Sequence, residues 1–391
     1  MERRGLVNES SPHAVYLDYN ATTPVAPDVL AAMAPYWADV FFNPSAPYAT
    51  AAQAAVEAAR AAVAELLGAT PDEIVFTSGG TESDLWALRA GLLARRAERP
   101  RVVISAIEHP AVTETAHALE RAGAEVTIIP VDDQGRLRLE ALDAALDTRT
   151  AIVSVMLANN EIGVIQPIAE IARRAHAVGA WMHTDAAQAV GKLPVDVQAL
   201  GVDLLTVAGH KLYAPKGIGA LYIRQGVDLA PLMTGGGQER GRRSGTENVP
   251  SIVGLGEAAR EADRWLAGPG PERQTALRDA LEIELLAALP GARVFGQRAL
   301  RLPNTCAIAV PHWTGAALLA ACPSIQASTG SACHGVNDSG SPTLRALGVE
   351  AALARGLIRL SLGRATTHRD VETAVAALVA AANSRASHAF S

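Results

Sequence analysis

Leu204-Leu205-Thr206-Val207-Ala208-Gly209-His210-Lys211 reads as a short strand, largely apolar on both faces, that ends in glycine, histidine and lysine. A strand of this kind belongs inside a sheet covered on both sides. An ordinary core strand has no use for an ammonium at its end. Desolvation there disfavours the charged form and lowers the lysine pKa, which makes the amine of Lys211 a nucleophile toward carbonyls. That environment suits a lysine joined as an imine to an aldehyde cofactor. The alternative is a strand-edge lysine with its head in water.

Working outward, the same pattern repeats. Short apolar runs lie at Ile74–Thr77, Val102–Ser105, Val126–Ile129, Ala151–Val155, Trp181–His183 and Ala220–Ile223. Alanine-rich helical segments separate them at Ala49–Leu67, Leu85–Arg96, Ala111–Ala122, Leu139–Leu146 and Ile168–Ala177. Strands alternating with helices predict an α/β fold with a mostly parallel, seven-stranded sheet, and ligands of such sheets collect beyond the carboxyl ends of the strands. From about Ser251 the pattern changes to a long charged helix, Glu261–Leu289 with a break near Pro269, then short strands and a final helix Asp370–Asn383. The expected organisation is a large domain over residues 15–255 and a smaller α+β domain from residues 1–14 and 256–391.

Composition narrows the function. The 391 residues are 49% hydrophobic and 19% charged with a net charge of -6, which fits a soluble globular protein and argues against nucleic acid as a direct ligand. Met1–Ser11 lacks the apolar core of a signal peptide, and no apolar stretch approaches the roughly 18 residues of a membrane span. Three widely spaced cysteines, Cys306, Cys322 and Cys333, point to a reducing cytoplasm, with neither a disulfide framework nor a zinc or iron–sulfur ligand set.

Polar residues cluster at the strand ends. After Phe76-Thr77 comes Ser78-Gly79-Gly80-Thr81-Glu82-Ser83, a glycine turn opening a helix. Its free amides and dipole favour a phosphate, with the Thr81 hydroxyl as a further donor, although Thr81 followed by Asp84 also resembles a capping box. Glu108-His109-Pro110 follows the next strand, where a histidine can stack on a flat ring or serve structure alone. Asp185, in His183-Thr184-Asp185-Ala186-Ala187-Gln188, reads as a helix cap, a metal ligand or the partner of a protonated pyridinium nitrogen. A phosphate cradle, a ring-stacking histidine, an aspartate and a lysine on successive strand ends suit one pyridoxal 5'-phosphate.

Several stretches together resemble the NifS/IscS-type cysteine desulfurases, fold-type I pyridoxal phosphate enzymes of the class V aminotransferase group. They are Tyr16–Pro24, Thr77–Ser83, Glu108-His109, Asn159–Gly163, His183–Gln188, Gly209-His210-Lys211 and Arg243–Thr246. The resemblance runs from about Tyr16 to Arg364. It implies that Lys211 carries the cofactor and shuttles protons at the substrate Cα, that Asp185 holds the ring-nitrogen proton, and that His109 stacks on the ring. It implies Gln188 on the phenolic oxygen, Asn160 toward cofactor and substrate, and Gly80, Thr81 and His210 on the phosphate. Thr246 would reach the phosphate of a neighbouring subunit, hence a homodimer, and Arg359 would clamp the carboxylate of the substrate, L-cysteine.

Cys333 sits in Ser328-Thr329-Gly330-Ser331-Ala332-Cys333-His334-Gly335, ahead of a stretch rich in Gly, Ser, Asn and Asp, so a surface loop over about 328–342 is expected. Its surroundings offer none of the apolar burial that a structural cysteine prefers. In the resembling family this cysteine takes the substrate's sulfur, leaving L-alanine and a persulfide that passes to a sulfur-acceptor protein. The acceptor stays open, from an iron–sulfur scaffold to tRNA thiolation. A related C–S lyase or selenocysteine lyase that does not rely on Cys333 is the rival reading. His334 is a further candidate for proton traffic. Cys306, in a strand-like run, and Cys322, in an apolar helix, read as structural. Three departures stand out: Ala208 replaces a phosphate-donating serine, Tyr48 an expected histidine, and Ala187 a threonine.

Overall fold

The computed structural model describes residues 14–95, 98–330 and 341–384. The strands in chain order are β1 (Val15–Tyr16), β2 (Ile74–Thr77), β3 (Arg101–Ser105), β4 (Glu125–Ile129), β5 (Thr150–Ser154), β6 (Trp181–Asp185) and β7 (Leu204–Ala208). They continue as β8 (Gly219–Ile223), β9 (Arg293–Val294), β10 (Thr305–Ala309), β11 (Ile325–Gln326) and β12 (Leu357–Ser361).

Seven of them form one sheet in the order β2-β8-β7-β6-β5-β3-β4, in which β8 alone runs antiparallel to its neighbours. The reason is visible in the residues. β5, β7 and β8 are buried along their whole length, and their side chains feed two different cores. Leu205 and Val207 pack under the helices Thr50–Leu67 and Val249–Ala267, while Leu204, Ile152 and Leu221 pack against Trp86, Leu88 and Val112 on the other face. A strand buried on both faces gains from apolar residues at successive positions, which is what these runs supply.

The parallel strands all deliver their carboxyl ends to one edge. At that edge the β2 end crowds β8. Thr77 pairs with Gly219, and a Cβ on Gly219 would lie 2.5 Å from the Val207 carbonyl oxygen and 2.8 Å from the Gly79 Cα. Only a residue without a side chain admits this approach, which sets the start of the following helix beside the end of β7.

The expected long helix is two helices, Val249–Ala267 and Gly270–Ala288. The first begins earlier than its charge pattern indicated, because the Asn248 side chain accepts from the Ser251 amide and caps it. A second core follows around the antiparallel sheet β12-β10-β9, with Leu277, Leu281, Leu285, Ile308, Ile358, Leu360 and Leu378 among its members. β1 pairs in parallel with β11, so the first described strand joins this C-terminal layer and Leu17 enters its core. Cys306 is buried in β10. Cys322 is also buried but lies just past the helix Gly315–Ala320 rather than within it, its thiol directed at the Ala377 carbonyl.

Candidate active site

A cavity of about 280 Å³ lies at the carboxyl edge of the large sheet. It is lined by Gly80 and Thr81 after β2, His109 after β3, Asn160 after β5, Asp185 and Gln188 at and after β6, His210 and Lys211 after β7, and Arg359 from β12. The structure thus brings together nine residues that the sequence had singled out from widely separated segments. Thr246 is not among the lining residues and is exposed. Cys333 and His334 lie outside the described residues.

The β2–helix junction settles one open reading. The helix Gly80–Leu93 takes Gly79 as its N-cap, at φ 148°, with no side-chain cap. Thr81 is therefore inside the first turn and does not form a capping box with Asp84. The Glu82 carboxylate accepts from the Ser78 amide, and the first-turn amides of Gly80 and Thr81 find no acceptor among the described residues. Such amides at a helix N-terminus form a donor cradle for an anion. Ala208, where a hydroxyl was expected, lines the cavity beside it, 3.4 Å from the position a Gly80 Cβ would take.

His109 caps the helix Pro110–Arg121: its Nδ1 accepts from the Ala111 amide at 3.1 Å. In the neutral ring the proton is then on Nε2, so proton exchange by His109 runs through Nε2. Asp185 ends β6 and accepts from the Ala187 amide at 2.9 Å. Burial raises its carboxyl pKa, and the charges of His109 and Lys211 pull against that rise. His210 bonds the Thr22 hydroxyl through Nδ1 at 3.0 Å, and burial with the nearby Lys211 pushes its pKa down to about 4. It is a neutral imidazole at physiological pH.

Lys211 donates from Nζ to the carbonyls of Asn20 at 2.8 Å and Ala21 at 2.7 Å. It is partly buried, not sealed away. The deeply desolvated amine is Lys192, whose pKa burial drives well below the ordinary lysine value, helped by the charges of Lys211 and Arg359. Lys192 Nζ donates to Asn20 Oδ1 at 3.0 Å and Gln188 Oε1 at 2.7 Å. Arg359, 1% exposed, gives Nη2 to Asp18 at 2.6 Å and Nη1 to the Asn160 carbonyl at 2.9 Å, and its Nε has no partner among the described residues.

At and behind the cavity wall, with Asp84 among the lining residues, lies a layer that sequence reasoning missed. Asp84, Glu108 and His183 are all buried. Burial pushes the Glu108 carboxyl up to about 8, although the Ser105 hydroxyl and the Met156 amide donate to it. Asp84 is raised well above the usual carboxylate range by burial and by the neighbouring Asp185. His183, between the hydroxyls of Ser154 at 2.8 Å and Thr206 at 3.1 Å, is pushed down to about 3 by burial. Only Asp84 carried a signal, its spacing from Thr81 as a capping-box partner, and it lies past the first turn, whose acidic residue is Glu82. Among the described residues no group of three or more histidines, cysteines and carboxylates could hold a metal ion.

Known proteins share this fold. Residues 15–373 match the family model for class-V aminotransferases. A cysteine desulfurase of Nostoc sp. (strain PCC 7120) is 47% identical over 365 residues, covering 92% of this chain and 91% of its own. The solved structure of a NifS-like protein superposes with a TM-score of 0.88 at 36% identity, covering 94% of this chain and 98% of its own. That of SspA in complex with cysteine gives 0.80 at 35%, covering 90% and 99%. The fold expected from the sequence, that of the fold-type I pyridoxal phosphate enzymes, is the one observed, and the family is pyridoxal phosphate-dependent. The chain belongs to the class-V aminotransferase family, within its cysteine desulfurase branch.

Proposed function

We propose that this protein is a cytoplasmic, pyridoxal phosphate-dependent cysteine desulfurase that converts L-cysteine to L-alanine and holds the released sulfur as a persulfide on Cys333. The observation that carries the reading is the meeting of Lys211, Asp185, His109, Gln188, Arg359 and the Gly80–Thr81 amides around one cavity. The donor set suits the cofactor. Unpaired helix amides and a neutral His210 match a phosphate, and an aspartate flanked by cationic groups matches a ring-nitrogen proton. Lys211, Gln188, Asn160 and Thr81 would complete the holding set.

When bound, pyridoxal phosphate supplies an aldehyde for the substrate amine and a ring that draws electrons from Cα. The chain's own groups do the rest. Arg359, with its unpartnered Nε, binds the substrate carboxylate. Lys211 Nζ, once it leaves the Asn20 and Ala21 carbonyls, carries the proton at the substrate Cα. His109 exchanges protons through Nε2 near the substrate sulfur. The Cys333 thiolate attacks that sulfur, so an S–S bond forms and the Cβ–S bond breaks. The electron pair stays with carbon and is protonated there: cysteine plus thiol gives alanine plus persulfide, with no external oxidant.

The exposed Thr246 is available to a second copy, and we propose a homodimer in which it reaches the neighbour's phosphate. We further propose a division into a large cofactor unit over 15–255 and a smaller unit from 1–14 and 256–391 that carries the Cys333 loop at about 328–342, although Leu17 packs in the second core and Ala258, Ala259 and Ala262 in the first. A sulfur-acceptor protein is the expected partner.

The test is Cys333→Ala. It should keep the visible absorbance of the bound cofactor and release less than about 1% of the wild-type sulfide from L-cysteine in the presence of a thiol, the scale of a lost nucleophile. Full sulfide release by that variant would establish the C–S lyase reading instead.

A further inference from the structure

Residues 331–340, which include Cys333, are flanked by Gly330 and Ser341, and both flanks meet at one buried carboxylate. Glu161 is 4% exposed. Its Oε1 accepts from the Thr343 hydroxyl at 3.0 Å, and its Oε2 accepts from the Ser341 hydroxyl. On the other flank a Cβ at Gly330 would lie 2.9 Å from the same Oε2, and Gly330 has φ +119°, a conformation that L side chains rarely adopt. The absence of a side chain at 330 thus lets the backbone rest against the carboxylate. The Ser341 hydroxyl also accepts from the Leu344 amide, so the group that binds Glu161 caps the helix Pro342–Ala346 as well.

Glu161 is itself fixed to the cavity edge. Its amide donates to Asn159 Oδ1 at 2.9 Å. The carbonyl of the preceding Asn160 receives Arg359 Nη1 at 2.9 Å and Asn20 Nδ2 at 3.3 Å. The Arg359 main chain in turn bridges to Ser328, two residues ahead of Gly330. A buried carboxylate is costly unless its hydrogen bonds are met. Packing alone would be served as well by an apolar side chain at 161. Here the carboxylate ties the two roots of one segment to the strand and turn that present Arg359 and Asn160.

We infer that Glu161 is a positioning residue for sulfur transfer: it fixes where residues 331–340 leave and rejoin the fold, and so the span Cys333 must cover to reach the sulfur of a substrate whose carboxylate is held at Arg359. The inference rests on the reading above, in which Cys333 accepts that sulfur.

The experiment uses the cofactor-loaded full chain and compares wild type with Glu161→Ala, Glu161→Gln, Thr343→Val and Cys333→Ala. Loosening the roots should lower kcat for sulfide release on the order of 10- to 100-fold in Glu161→Ala, the scale of a small misplacement of a reacting group. KM for L-cysteine and the cofactor absorbance should stay as in wild type. Glu161→Gln keeps one acceptor oxygen and should recover part of the loss, and Thr343→Val should show a smaller loss in the same direction. Because Cys306 and Cys322 are buried, iodoacetamide labelling reads Cys333, and its rate should change in the Glu161 variants. Should Glu161→Ala not fold, Glu161→Gln and Thr343→Val carry the test. Wild-type kcat and labelling rates in those two, with Cys333→Ala inactive, overturn the inference. Full activity in Cys333→Ala overturns the function reading instead, so the two failures are distinguishable.

Discussion

Lys211, just after β7, and Lys192, in the turn region after β6, both reach for Asn20, and the contrast between their two sites is instructive. Lys211 donates to main-chain oxygens of Asn20 and Ala21 and lines the cavity. Lys192 donates to the side-chain oxygens of Asn20 and Gln188 and is not among the lining residues. Burial drives the Lys192 pKa well below the ordinary lysine value. A reactive lysine needs more than a lowered pKa: it needs open space in front of the nitrogen and partners it can leave. Lys192 instead fixes Gln188: its Nζ donates to the Gln188 Oε1 and so turns that oxygen toward itself.

The sharpest way to break this comparison is to remove each amine in turn and measure sulfide release from L-cysteine. Lys211→Ala should lose on the order of 10³-fold or more, the usual scale for a positioned acid–base group that also holds a cofactor, and borohydride should no longer fix a pyridoxyl group to the chain. Lys192→Met should lose no more than about 10-fold, the scale of one misdirected hydrogen bond. If the two losses were exchanged, the assignment of the reactive amine would move to position 192.

A second contrast sets the front of the cavity against the layer behind it. Burial raises the Asp185 carboxyl pKa while His109 and Lys211 pull it back toward the anion, whereas Glu108 keeps a proton up to about pH 8. The sign follows from linkage. An unfolded glutamate ionises near 4.5, whereas the folded one ionises near 8, so folding takes up a proton between these values and stability falls as pH rises. The cost reaches up to about 1.4 kcal/mol for each pH unit in that window. Glu108→Gln carries no titrating proton and offers the same oxygen to the Ser105 hydroxyl and the Met156 amide. Thermal midpoints measured from pH 5 to 8 should therefore fall more steeply for wild type than for the variant. Parallel curves would mean that Glu108 is ionised throughout.

How much of this was readable beforehand depends on whether a residue speaks through its own segment. Six of the seven strands announced themselves because burial on both faces leaves no place for alternation, the half-exposed edge strand β4 through its β-branched residues, and Lys211, Asp185 and His109 stood out as polar groups closing apolar runs. The back layer was silent for the opposite reason. Glu108 looks like the neighbour of a histidine, His183 lies inside a strand, and Lys192 follows a glycine in an ordinary turn. Their roles exist only after distant segments meet: Glu108 bonds Met156, His183 bonds Thr206, and Lys192 bonds Asn20. The Thr81–Asp84 spacing misled in a related way. Its capping-box pattern is real, but Gly79, at φ 148° against Gly219, starts the helix two residues too early for it. Cys322 likewise outlasts its helix because the chain turns there to begin β11.

The finest test returns to Lys192 and uses pH alone. Its folded pKa is depressed well below the ordinary value of 10.5, so between those two values folding releases a proton and stability rises with pH. This slope is opposite to that of Glu108. In the neutral form the amine still donates to Asn20 Oδ1 and Gln188 Oε1 without the burden of a buried charge. Lys192→Met removes both bonds and the titration, while Asn20 Oδ1 keeps its bond from Asn304 at 2.9 Å. The variant should therefore differ little from wild type at pH 7 and lose about 1–3 kcal/mol at pH 9.5, where an unsatisfied Gln188 oxygen is set against a wild type relieved of its charge. Thermal unfolding at the two pH values decides it. A deficit larger at pH 7 than at pH 9.5 would show that Lys192 is held as an ammonium. Its desolvation would then be offset by its oxygen partners, and the distinction between the two lysines would rest on access to the cavity alone.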